Sequence, residues 1–343
     1  MSAILVKQPG MLTTIQDLGR WGFAHIGMPV AGVMDDYAAR VGNLLLGNAE
    51  DAPVLEITLT GPVLVFAEST YFVITGGDLQ PQLNTQPLQS WRVYRAEPGD
   101  TLSFAGILQG CRAYLAVAGG FIGQRVMSSA STYLRGKLGG YAGRALRTGD
   151  TLNTASSAEY IVPEGLTLPA EYYPHYRESL RVVLGPQDDA FTPKGVATFL
   201  SAEYTVTPDA DRMGYRLDGP AIEHKGRADI ISDGIALGAV QVPAHGTPII
   251  MLADHQTTGG YPKIANVITV DIPSIAQKKP GDTIKFEAVS IETAQHLYRE
   301  REEMFAQIRR WASHQTAHPA QPISHYTITV NGQRYEVSVQ ELC

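Results

Sequence analysis

The heptapeptide PGDTLSF at 98–104 returns as PGDTIKF at 280–286. In each copy Pro-Gly-Asp predicts a turn, and the residues after it alternate as a strand does. Each copy also follows a Gly-Gly pair, Gly76-Gly77 and Gly259-Gly260, so one device recurs at matching places in two halves of the chain. Outward from this echo the sequence is mostly short β-branched or aromatic runs, such as YFVIT at 71–75, AYLAV at 113–117 and RVVL at 181–184. With 34 Gly and 21 Pro cutting these runs, turns are frequent and many need backbone angles that only Gly adopts cheaply. The reading is mainly β with a few helices, as two related barrels or sandwiches over 1–160 and 175–290. The boundary is predicted in 155–178, where Ser, Glu and Pro are dense and periodicity is weak.

Two helices interrupt the strands. The first is predicted over 35–46, with Asp35 as N-cap, Ala38, Val41, Leu44 and Leu45 as its apolar stripe, and Gly47-Asn48 as its stop. The second spans about 291–313 behind the cap candidate Ser290, with Leu297, Tyr298, Met304, Phe305, Ile308 and Trp311 at helical spacing. Packing accounts for that stripe without a cofactor. A polar linker at 314–324 then leads to a hairpin tail over 325–341 about Asn331-Gly332, the strongest short hairpin signal. The tail, YTITVNGQRYEVSV, resembles a truncated biotinyl carrier domain without the Met-Lys-Met of its biotinylation site; it reads equally as a plain hairpin docked on a barrel.

Composition excludes several classes. The chain has 343 residues, 44% hydrophobic and 18% charged, which fits a globular protein with ample core. Its 27 basic and 34 acidic side chains give a formal charge of -7 with no run of Lys and Arg to neutralise phosphates, so no nucleic-acid partner is expected. The start, MSAILVKQPGMLTTIQD, lacks the apolar stretch of a signal peptide. No window approaches about 18 consecutive apolar residues, and the expectation is a cytoplasmic protein with no membrane partner. Cys111 and Cys343 make neither a disulfide framework nor a zinc pattern; both read as free thiols, with no metal in this chain. Gly136-Lys137 lacks the upstream glycine and following hydroxyl of a P-loop, and H-E-x-x-H, G-x-S-x-G and C-x-x-C are absent.

Three clusters can carry chemistry. In the first, QDLGRWGF at 16–23 continues through glycines to Met34-Asp35. Asp17 and Arg20 are three apart and either pair with each other or face a polar ligand. Glu56, between Leu55 and Ile57, must find a donor inside or face a cleft, because an unpaired buried carboxylate is costly. The second cluster, DADRMGYRLDGP at 209–220, sets Arg212 and Arg216 about Tyr215 in a stretch too Gly- and Pro-bounded for a stable helix. The two guanidiniums suit a carboxylate or phosphate, or else form salt bridges with Asp209 or Asp218. In the third, the apolar run IIML at 249–252 opens into ADHQTTGGYP at 253–262, dense in hydrogen-bonding side chains and ending in two glycines that let backbone approach a ligand. His255 alone is weak evidence of a base.

These clusters, in this order, resemble the biotin-dependent carboxyltransferase-like family that includes the C-type 5-oxoprolinase component, KipA and allophanate hydrolase subunit 2. The resemblance covers 1 to about 290 and rests on QDLGRWGFAHIGMPVAGVMD (16–35), LEIT (55–58), YLAVAGG (114–120), GPQDDAF (185–191), DRMGYRLDGP (211–220), ADHQTTGGYPKIA (253–265) and QKKPGD (277–282). It implies two cyclophilin-like β-barrel domains. It also implies partners: a KipI-like protein or the B-type component of 5-oxoprolinase, and for the oxoprolinase a LamB/YcsF-like A-type component. The implied reaction opens the lactam of 5-oxo-L-proline to L-glutamate with hydrolysis of ATP to ADP and phosphate, in a complex of which this chain is one member, inactive alone. ATP is then bound here or with a partner. On that reading Asp254, Gln256 and Thr257 are the catalytic candidates. Arg212, Tyr215, Arg216, Thr258, Gly259, Gly260, Tyr261, Asp17, Arg20, Asp35 and Glu56 are the candidates for holding substrate. Two other activities stay open under the same resemblance: a carboxyltransferase acting on urea or another small amide with biotin, and a KipA-type regulator of a KipI-like kinase inhibitor.

Overall fold

The computed structural model describes residues 2–155, 162–315, 324–330 and 333–339. In it the PGD echo is reproduced bond for bond. Gly99 and Gly281 both take left-handed backbone, φ +95° and +92°. The Asp100 carboxylate accepts from the Glu97 amide at 2.7 Å, as that of Asp282 does from the Lys279 amide at 2.9 Å. The Gly99 amide donates to the Phe66 carbonyl and the Gly281 amide to that of Val206, while Phe66 and Val206 donate back to Asp100 and Asp282. Strand Thr101–Phe104 is thus fastened to Val63–Phe66 in the way that Thr283–Ala288 is fastened to Tyr204–Val206.

The two halves complete this shared unit differently. The first lays out two sheets, one of six strands that includes Ser2–Gln8, Val63–Phe66 and Thr101–Phe104, and one of five. The five-stranded sheet runs in the order Leu12–Gln16, Val54–Thr58, Gln109–Val117, Thr70–Asp78, Val93–Ala96. Ile4 and Phe66 of one sheet meet Ile57, Phe72 and Leu115 of the other in a common core. The five-stranded sheet is covered on its other face as well: Val54, Tyr114 and Ala116 pack against helices α1 (Asp36–Leu45) and, from the far end of the chain, residues of Ile291–Gln315. Burial on both faces is why Val54–Thr58 is buried at every position and why a charge within it must find a partner.

The second half closes into a seven-stranded barrel, as the repeated short strands suggested. Its strands follow the order Ser179–Leu184, Lys263–Val267, Ala239–Gln241, Ile249–Met251, Gly214–Asp218, Tyr204–Val206, Thr283–Ala288. Helix α2 (Pro193–Ser201) plugs one side by stacking Phe199 on Phe286, ring centroids 4.3 Å apart. Asp233–Gly234 pairs with Thr258–Gly259 as a small flap outside the barrel. The stretch 209–220, read as non-helical, supplies the strand Gly214–Asp218.

Asp35 caps α1 by accepting from the Ala38 amide at 2.9 Å. The short α3 (Ile272–Ala276) precedes the long α4 (Ile291–Gln315), at whose start Ser290 Oγ accepts from the Thr293 amide. Helix α4 buries Phe305, Ile308 and Ala312, while Tyr298 stays 45% exposed. It is clamped to α1 by charge: Arg40 donates to both Glu302 oxygens at 2.8 and 2.9 Å and lies over the Phe305 ring, and Arg301 pairs with Asp36 at 3.1 Å. The tail strands Ser324–Val330 and Gln333–Val339 pair antiparallel. Asn331-Gly332 and Cys343 lie outside the described residues, as do 156–161 of the expected boundary. No helix is long and apolar enough to cross a membrane among the described residues.

Candidate functional site

The three clusters meet where the halves join, and Arg212 is the hub. Its Nε and Nη2 donate to the two oxygens of Asp254 at 3.1 and 3.0 Å, a bidentate fork. Nη1 donates to Glu56 Oε1, and Nη2 also reaches the Gly32 carbonyl at 2.6 Å. Glu56 thereby finds its donor from the other half of the chain. Its second oxygen accepts from the Met34 amide at 2.8 Å and from Tyr114 OH, its cross-strand neighbour, at 2.9 Å. Burial pushes the Asp254 carboxyl above its ordinary range, against the pull of Arg212. Burial also works against the Arg212 charge, but Asp254 and Glu56 outweigh it and hold the guanidinium above its ordinary value.

Asp17 and Arg20 do not bond each other; both grip the segment at 129–132. Asp17 accepts from Ser129 Oγ at 2.6 Å, Ser131 Oγ at 2.5 Å and the Ala130 amide at 2.6 Å, while Arg20 donates to the Ser131 carbonyl. Asp35 accepts from Gln277 Nε2 and Tyr176 OH, both at 2.8 Å, besides capping α1. Full burial raises its carboxyl to about 6, although those hydrogen bonds oppose the rise. Gln277 comes from the second half and plugs into the first: its Oε1 accepts from the Cys111 and Arg112 amides, and its Nε2 also donates to the Arg112 carbonyl. A Cβ on Gly77 or Gly110 would stand 2.8 or 2.6 Å from that oxygen, so these glycines admit the plug. Tyr215 joins the same seam, accepting from Arg112 Nη1 at 2.5 Å and donating to the Lys278 carbonyl at 2.9 Å.

Beyond this seam the loop 253–261 separates two cavities. On the interdomain side, His255 and Thr257 line a cavity of about 600 Å³ with Trp21, Met34, Ile235 and Tyr298. On the outer side, Gln256 and Tyr261 line a pocket of about 430 Å³ together with Arg216. Arg212 and Asp254 border a smaller space of about 150 Å³. Thr258 and Gly259 form the flap, and the Gly260 carbonyl accepts from the Ile230 amide at 2.8 Å. His255 gains a role that its place in the sequence did not show. The ring donates from Nδ1 to the Gln256 carbonyl at 2.7 Å, and burial lowers its pKa, so the neutral imidazole presents Nε2 as a proton acceptor.

Sequence reasoning also passed over Gln241 and Lys263, both 2% exposed. The available signal was a polar side chain inside or at the head of an apolar run, AVQV at 239–242 and KIANV at 263–267. On the wall of the interdomain cavity Arg40 is paired with Glu302 and Arg301 with Asp36. No group of three or more His, Cys, Asp or Glu that could hold a metal occurs among the described residues.

Residues 26–288 match the model of the carboxyltransferase domain, subdomain A and B. The chain is 41% identical over 298 residues to the C-type 5-oxoprolinase component of Haemophilus influenzae, covering 87% of this chain and 94% of that protein. It is 35% identical over 310 residues to the Escherichia coli protein of the same name, covering 90% and 98%. The crystal structure of K. lactis urea amidolyase superposes with a TM-score of 0.84 at 30% identity, covering 89% of this chain and 20% of that one.

Proposed function

The chain belongs to the family of carboxyltransferase domains, subdomains A and B, and from that premise we propose that it is the C-type component of an ATP-dependent 5-oxoprolinase. In this reading the complex opens 5-oxo-L-proline to L-glutamate with hydrolysis of ATP to ADP and phosphate, and the chain is inactive alone. The observation that carries it is the cavity between the halves: a space of about 600 Å³ with mainly apolar walls and a few convergent polar groups, formed by loops of both domains. The oxoprolinase components of two bacteria that match nearly end to end supply the activity.

A lactam carbonyl is a weak electrophile; transfer of the γ-phosphoryl of ATP to its oxygen releases ADP and opens the ring carbon to water, whose attack breaks the ring C–N bond and expels phosphate to leave glutamate. His255 Nε2 is placed to take the proton of that water, and Thr257 Oγ1 to orient the amide, both from the cavity wall. Asp254 serves by holding Arg212 and the loop rather than by meeting substrate. ATP is supplied with a partner, a KipI-like B-type component, and a LamB/YcsF-like A-type component completes the complex. The test mixes this chain with both partner types in the cytoplasmic range of pH. Glutamate release from 5-oxoproline only in the full, ATP-containing mixture is the expected result, and no turnover in that mixture refutes the reading. A second reading rests on the close superposition with urea amidolyase: a carboxyltransferase that consumes carboxybiotin in the presence of urea. Carboxybiotin loss when the chain is supplied with carboxybiotin and urea, in place of glutamate release from 5-oxoproline, distinguishes the two.

A further inference from the structure

Beneath the flap lie two buried donors that neither the seam between the halves nor the interdomain cavity uses. Gln241 and Lys263 are cross-strand partners in the barrel wall. Val240 and Val242, on either side of Gln241, belong to the barrel core, so by strand alternation Gln241 points outward, under the flap, where the Lys263 ammonium also reaches Asp233. Lys263 Nζ donates to Asp233 on the flap at 3.3 Å, and Gln187 Nε2 donates to the same oxygen at 3.1 Å. Gln241 Nε2 has no hydrogen-bond partner among the described residues. A buried amide donor left unpaired destabilises a fold, and its retention calls for an explanation outside packing.

The flap backbone is shaped to this group: a Cβ on Gly259 would stand 2.8 Å from Gln241 Nε2 and 2.7 Å from Ile235 Cδ1. Gln241 faces the outer pocket of about 430 Å³. Also on its walls are Arg216, which forms no ion pair among the described residues, and the carboxylates of Asp209, Asp211 and Asp229. The pocket wall thus holds a guanidinium and, covered by the flap at Gly259, an amide N–H for an acceptor oxygen, with the carboxylates of Asp209 and Asp229 and the second oxygen of Asp211 for a positively charged nitrogen.

We propose that this outer pocket is a second small-molecule site, which takes a zwitterionic α-amino acid with its carboxylate on Gln241 and Arg216 and its ammonium on the aspartates. A neutral lactam N–H fills the acidic side less well than an ammonium, and urea offers no carboxylate at all. The identification of the amino acid as L-glutamate, the product, rests on the oxoprolinase reading; the site itself does not.

The test is calorimetric titration of the full-length chain, without partners, with L-glutamate, 5-oxo-L-proline, and glutarate, which keeps both carboxylates and lacks the ammonium. Saturable binding of glutamate, at least tenfold weaker binding of 5-oxoproline and glutarate, and a tenfold or greater loss in Gln241→Met are expected. Because Gln241→Met also removes the unpaired donor, its melting temperature should hold or rise, whereas a Gln kept for structure would lose stability. Arg216→Gln, on an exposed side chain, should weaken glutamate binding without affecting folding. Absence of glutamate binding, equal binding of glutarate, or unchanged affinity in both variants overturns the site. A complex that turns over 5-oxoproline while the chain fails to bind glutamate sinks this inference alone; Gln241-dependent binding without turnover sinks the activity alone.

Discussion

Replacing Arg212 with methionine removes four hydrogen bonds at once: two to Asp254, one to Glu56 and one to the Gly32 carbonyl. Methionine keeps much of the apolar stem, so the loss is mainly electrostatic. Glu56 retains the Met34 amide and Tyr114 OH, but Asp254, 5% exposed, loses both of its guanidinium contacts. Breaking a buried ion pair from one side costs about 3–5 kcal/mol, against a total stability of about 5–15 kcal/mol for a typical domain. Asp254 is already shifted upward by burial, and without Arg212 it shifts further. An acid with a raised folded pKa favours the folded state at low pH and loses that contribution as pH rises through the folded value. The deficit of Arg212→Met should therefore be larger at pH 8 than at pH 5. Urea unfolding followed by tryptophan fluorescence and circular dichroism at both pH values measures it. Glu56 and Arg212 belong to different halves, so the variant should also separate the two halves' transitions. A loss below about 1 kcal/mol at pH 8, or one independent of pH, would refute the assignment of Arg212 as the charge that joins the halves.

Three further outcomes follow from the same seam and cavity. Asp35, with a folded pKa of about 6 against about 3.9 unfolded, binds its proton more tightly when folded; stability should fall by roughly 2 kcal/mol as pH rises from 4 through 6, and Asp35→Asn should flatten that window in thermal melts. Gly110→Ala puts a Cβ 2.6 Å from Gln277 Oε1 at a backbone φ of +70°, so chemical denaturation should show a loss of about 2 kcal/mol or more, and a neutral result would mean the plug is loosely seated. His255→Gln preserves much of the side chain's bulk and should lower turnover by the reconstituted complex about a hundredfold or more while leaving the melting temperature within a few degrees; unchanged turnover removes His255 from the chemistry.

Local rules carried much of the architecture. The PGD echo located a turn and strand in each half because its hydrogen bonds close within a few residues, Glu97 to Asp100 and Lys279 to Asp282. The cap at Asp35 and the stripe of α4 were legible for the same reason: capping and helical periodicity act over one or two turns of chain. That Glu56 needed a donor was also readable, since it lies inside an apolar run. Which donor it takes was not. Arg212 lies 156 residues away, and its second partner, Asp254, lies 42 residues off, where the nearer Asp209 and Asp218 were the local choices. Closure of the second half into a barrel, the plug of Gln277 between Gly77 and Gly110, the neutral face of His255 and the unpaired amide of Gln241 likewise depend on what the folded chain brings alongside. Backbone patterns are set by neighbours in sequence, whereas the state of a buried polar group is set by neighbours in space, and here those come from opposite halves of the molecule.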